Sequence, residues 1–138
     1  MIQVSIQVSS RYPVDRRRVR RVIAKTLCRQ GISDAAQVGV AVVGDRKMED
    51  LNRKFMGKTG TTDVLSFPLA ETSRGVSAVE REFVEVPQPR LRLGDIVISY
   101  PQARNQAQDH NLLVDEEIDR LVEHGVHHLL GIHHDDSG

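Results

Sequence analysis

The chain has 138 residues, with 19 lysines and arginines against 19 aspartates and glutamates. That length suits one domain, residues 1–138, with a real hydrophobic core. A zero formal net charge leaves no global field toward nucleic acid or membrane, so any RNA contact must come from a local basic patch. The single cysteine, Cys28, excludes an internal disulfide, leaves no disulfide partner and fits a reducing compartment.

Ile2, Val4, Ile6 and Val8 alternate with polar residues and predict a half-buried strand. The same stretch lacks a charged region followed by an apolar one, so it does not read as a signal peptide. No apolar run reaches the roughly 20 residues that cross a bilayer. A soluble cytoplasmic protein that meets no membrane is the expectation.

Val19, Val22, Ile23 and Leu27 recur at helical spacing from Asp15 to about Gln30, with Gly31 as a stop. The other face of that helix carries Arg16, Arg17, Arg18, Arg20 and Arg21, a run that reads as a solvated face and is the densest positive patch. Cys28, inside the same helix, reads as a packing residue. Val38 to Val43 predicts a buried strand. Met48, Leu51, Asn52 and Phe55 fall on one side of a second helix, closed by Gly57 and Gly60.

Val64 to Phe67 predicts a strand ended by Pro68, and Ile96 to Ile98 another, introduced by Gly94 and Asp95. Glu71 to Arg92 reads as a long excursion with a short strand at Glu82–Val86. Ser99 can cap a helix with Pro101 near its first position, running to about Asp109. A last helix begins near Asp115, where Glu116 and Glu117 suit its positive end, and buries Ile118, Leu121, Val122 and Leu129. The order β-α-β-α-β-β-α-α predicts an α+β fold: a single mixed β-sheet of about four strands packed with about four helices.

Five of the six histidines lie between His124 and His134. His124 and His128 are four residues apart, which places two imidazoles one turn apart on a single helix face. Gly131 offers a stop, so that the turn following the helix can bring His134 in as a third ligand. Three neutral nitrogens and one open position describe a catalytic zinc site, here on the C-terminal helix and the following turn, with one ion per chain. His127 points away from the shared face. His133 neighbours His134 and can replace it or orient water.

The spacing HxxxHxxGxxH also describes a class of zinc proteases, which carry a glutamate base directly after the first histidine. That position is Gly125 here, which argues against proteolysis.

His124-Gly125, His128-Leu129, Gly131 and His134 resemble the signature of the YbeY-type rRNA maturation factors, metal-dependent single-strand endoribonucleases. A second block is similar to the same family: Leu51-Asn52, Phe55, Gly57-Lys58 and Thr62 to Pro68. So is a third, Leu93 to Ser99. The resemblance implies a zinc-dependent, single-strand-specific endoribonuclease acting in rRNA maturation and ribosome quality control, with ribosomal RNA and the small ribosomal subunit as partners. It implies His124, His128 and His134 as metal ligands that act catalytically through the metal and its water. Asp63 and His133 are candidates to orient that water, and capping a backbone turn is the alternative role for Asp63. The family usually has arginine where this chain has Met56, and aspartate where it has His133. Methionine cannot grip phosphate, so Arg53, Lys54 or Lys58 must take over RNA binding. The alternative is a weakly active or non-catalytic metal-binding ribosome-assembly factor. Zinc held by three histidines brings the pKa of its water down to about 7, which suits phosphodiester hydrolysis at neutral pH.

Overall fold

The computed structural model describes residues 2–32, 36–69 and 91–132. Its elements follow the expected order: β1 (Gln3–Val8), α1 (Arg16–Arg29), β2 (Ala36–Val43), α2 (Asp45–Met56), β3 (Val64–Pro68), β4 (Leu91–Ser99), α3 (Tyr100–His110) and α4 (Val114–Leu129). The strand expected at Glu82–Val86 lies outside the described residues, and so do His133 and His134. Among the described residues no helix is long and apolar enough to cross a membrane.

The four strands form one mixed sheet in the order β1-β2-β4-β3. β1, β2 and β4 run parallel, and β3 pairs antiparallel with β4 at the edge. β4 is longer than the Ile96–Ile98 core that its apolar residues predict. It begins at Leu91, so Leu91 and Arg92 belong to the sheet rather than to the preceding excursion. Pairing with β2 is the cause: Ala36 and Gln37 extend the ladder to Leu91 and Arg92, across a register shift after Gln37.

β2 alternates strictly, with Ala36, Val38, Val40 and Val42 buried. Those four join Ile6, Leu93, Ile96 and Ile98 to form one apolar face of the sheet, covered by α1, α3 and α4 through Ile23, Leu27, Ala103, Ile118, Val122 and Val126. The opposite face carries α2, whose Met48 packs with Leu65 and Val97. α1 is capped by Asp15, whose carboxylate accepts from the Arg18 amide at 3.1 Å. Its Arg18 reaches across to Asp119 of α4, donating from Nη2 at 2.8 Å and from Nε at 2.9 Å. One member of the arginine run therefore ties two helices together. Cys28 is exposed, not packed.

Candidate active site

α4 holds the histidines, and its own sequence explains its start, its seat and its end. Asp115, Glu116 and Glu117 occupy its first turn, where the helix dipole favours acids. Glu116 Oε1 accepts the Leu113 amide at 3.0 Å. The helix seats on the sheet at Gly125: a Cβ there would come within 2.8 Å of Ile96 Cγ2, and Ile96 is fully buried. Ser66 on β3 donates to the Gly125 carbonyl at 3.4 Å. The position that a zinc protease gives to its base thus faces the sheet in this fold, and glycine there serves close packing.

The end of α4 is a reciprocal pair of bonds. The Ile132 amide donates to the His127 carbonyl at 2.8 Å and the Gly131 amide to the His128 carbonyl at 3.0 Å. Gly131 sits at φ +76°, the left-handed conformation that this turn requires. The stop expected at Gly131 is therefore present, and the chain reverses just before His133 and His134.

His124 and His128 are half-buried on one side of α4, their ring centroids 4.3 Å apart and their planes inclined at 47°. The Nε2 of His128 is buried. Two imidazoles this close on one helix face suit a borderline metal ion such as zinc. Among the described residues no further His, Cys, Asp or Glu side chain completes a metal-binding group with them.

Asp63 is engaged elsewhere. Its Oδ1 accepts the Val64 amide at 2.8 Å and the Thr62 hydroxyl at 3.3 Å, while its Oδ2 accepts from Gln106 Nε2 of α3 at 3.1 Å. The structure does not bring it together with His124 and His128. Ser99 caps α3, accepting the Gln102 amide at 3.4 Å, and donates to Asp45 Oδ1 at 2.8 Å. Asp95 lies against Gly39 of the neighbouring strand, whose missing side chain makes room for its carboxylate.

The cations expected to meet RNA lie at the end of α2. Arg53 is exposed and pairs with Asp50 at 3.0 Å. Lys54 Nζ stands 5.4 Å from the Phe55 ring centroid. Lys58 is exposed just beyond the helix, and Asn52 Nδ2 pins that loop by donating to the Gly60 carbonyl at 3.1 Å. Phe55 meets Phe67 edge-on at 5.3 Å yet stays 55% exposed, and Met56 beside it is 40% exposed. Phe55 shares the helix side of Met48 and Asn52, as its spacing predicts, but it lies near the helix end, where burial is incomplete.

A family model described as Endoribonuclease YbeY matches residues 5–138. The chain belongs to that family. Relatives named Endoribonuclease YbeY include one from Dehalococcoides mccartyi, 36% identical over 116 residues, which cover 84% of this chain and 67% of the relative. Another, from Bacillus cereus strain B4264, is 37% identical over the same length and is covered to 71%. A solution structure of the Thermotoga maritima protein TM1509 shares the fold, with a TM-score of 0.56 at 23% identity, over 98% of this chain and 75% of that one. Membership in the YbeY family agrees with the α+β architecture and with the order of the three sequence blocks.

Proposed function

We propose that this protein is a zinc-dependent, single-strand-specific endoribonuclease of the cytoplasm, acting in rRNA maturation and ribosome quality control with the small ribosomal subunit as partner. The observation that carries the reading is the His124–His128 pair, its rings 4.3 Å apart on a helix that is followed by a left-handed turn at Gly131. Relatives named as endoribonucleases over most of the chain support the substrate class. His124, His128 and His134 would hold the ion. When bound, zinc supplies Lewis acidity, activating water near neutral pH and polarising a phosphoryl oxygen.

The rest falls to the chain itself. Gly125 keeps α4 pressed on β4, and so sets where the two imidazoles stand. Arg53, Lys54 and Lys58 present cations to the RNA backbone beside the exposed Phe55, whose ring can stack on an unpaired base. Asp63, tied up by Gln106 and Val64, shapes the turn into β3, and His133 is the remaining candidate to orient water.

Two measurements test this reading. Protein never exposed to a nickel column should contain about one zinc per chain, and stripping the metal should abolish cleavage of single-stranded RNA. Cleavage that survives stripping unchanged would refute it. The second reading, a non-catalytic assembly factor, is favoured by Met56, which offers no charge to the phosphorane. Met56→Arg separates the two: a clear gain of ribonuclease activity means the native site is weak. No change beside robust native cleavage means another cation does that work.

A further inference from the structure

A zero net charge sends any RNA contact to a local patch, and one such patch lies outside the histidine site and the end of α2. The β1 exit turns to the face covered by α1, whereas the β2 exit turns to the opposite face, with α2. Neighbouring parallel strands whose connections part in this way leave a crevice at their carboxyl ends, the usual ligand position in open sheets with parallel strands. β2 and β4 part in the same way, but that crevice is closed. Asp45 Oδ1 there accepts from Ser99 at 2.8 Å, Gln102 at 3.2 Å and Thr61 at 3.2 Å.

The crevice between β1 and β2 is open. It forms a groove of about 370 Å³ lined by Ser9, Arg11, Tyr12, Gly44, Arg46, Lys47 and Asp50. Arg11, in the loop after β1, and Arg46 and Lys47, in the first turn of α2, are exposed, and none forms an ion pair among the described residues. The acid among the lining residues, Asp50, is paired with Arg53. Tyr12 is stacked on Tyr100 with centroids 4.8 Å apart, and Gly44 leaves room for its hydroxyl, so the wall of the groove is braced.

We propose that this groove is a phosphate-binding subsite for the backbone of single-stranded RNA, with Arg11, Arg46 and Lys47 as its contacts. The inference rests on the RNA-directed reading above and extends it. Arg46 and Lys47 stand in the first turn of α2 and Arg53 and Lys54 in its last, about 10 Å apart along the axis, so one strand can engage both.

The test compares zinc-loaded wild type with Arg11→Gln/Arg46→Gln/Lys47→Gln. A control, Arg17→Gln/Arg21→Gln/Lys25→Gln, removes the same charge from the exposed face of α1. Binding of a labelled single-stranded 2′-O-methyl oligonucleotide, chosen to resist cleavage, is followed by fluorescence anisotropy across a salt series. Thermal melts check that all three proteins fold. The groove variant should bind more weakly than the control and flatten the salt dependence by about 2 log units per log unit of salt, at about 0.7 for each lost contact on a single strand.

Equal weakening in both variants, or none in the groove variant, would overturn the subsite. So would a polyglutamate peptide that competes as well as RNA of the same charge, which would mark the groove as a protein-docking surface. Inorganic phosphate should shift the amide resonances of Gly44 to Lys47. Such a shift without any oligonucleotide effect would assign the groove to a free phosphate instead, and overturn the RNA assignment. Cleavage by wild type is scored separately. Its absence beside groove-dependent binding defeats the nuclease reading alone, whereas its presence beside unchanged binding defeats the subsite alone.

Discussion

Adding one methyl group at Gly125 sets two effects against each other, and the structure says which is larger. In a helix interior alanine is favoured over glycine by about 1 kcal/mol. The new Cβ, however, would lie 2.8 Å from Ile96 Cγ2, 3.0 Å from Cγ1 and 3.1 Å from Cδ1. An ordinary contact begins near 3.4 Å, so α4 or Ile96 must give by several tenths of an ångström. Ile96 is fully buried and β-branched, with few rotamers to escape into. Overpacking of this kind costs about 1–3 kcal/mol. The net for Gly125→Ala is therefore a loss of about 1 kcal/mol, or about 3 °C in Tm for a chain of this size.

Urea unfolding of a double-mutant cycle with Ile96→Ala is the assay. Ile96→Ala alone leaves a cavity worth about 2–5 kcal/mol. Ile96→Ala removes all three of those atoms, so in that background Gly125→Ala should become stabilising, with a coupling of about 2 kcal/mol between the sites. If Gly125→Ala stabilises the wild-type protein by the full helix-propensity gain, α4 does not sit against β4 as described. The placement of His124 and His128 would then fail with it.

Other consequences follow from the same contacts. Gly131→Ala forces a side chain into the left-handed turn at φ +76° and should cost about 1–2 kcal/mol. If His134 is the third ligand as proposed, isothermal titration should show weaker zinc binding with His124 and His128 unchanged. Ser99→Ala removes both the cap of α3 and the donor to Asp45, so chemical denaturation should register a loss of about 1–2 kcal/mol. The hydrogen bond and charge of Asp119 raise the pKa of Arg18 above its ordinary value. A raised pKa stabilises the fold below the unfolded value and is lost only as pH climbs through the folded one, far above neutrality. The difference in urea midpoint between wild type and Arg18→Gln should thus stay flat between about pH 6 and 9. A difference that vanishes within that window would refute the pairing.

Short-range chemistry wrote itself plainly into the residues. Alternation marked β1 and β2, four-residue spacing marked the helices, and Ser99 and Gly131 announced a cap and a stop that the structure contains. The pairing of His124 with His128 was legible for the same reason, since it needs only one helical turn. Each of these depends on residues within a few positions of one another. The cationic groove was missed because Arg11 lies more than thirty residues from Arg46 and Lys47, and no local pattern joins them.

Tertiary structure decided the rest. Strand order β1-β2-β4-β3 and the antiparallel edge at β3 are properties of pairing, not of any one strand. Arg92 and Asp95 look unlike a strand until β2 pairs with both and β3 also with Asp95. Gly125 appeared in the sequence as a missing base, and packing against Ile96 shows it to be the seat of the helix. Asp63 read as a candidate either to orient water or to cap a backbone turn, and it accepts the Val64 amide and is held by Gln106 from a helix more than forty residues away. The sequence by itself determined which residue types were available for a metal site and where the chain would turn. Which carboxylate, cation or glycine stands beside them depends on long-range contacts, whose energy comes from burial shared among several elements and is written in no single one of them.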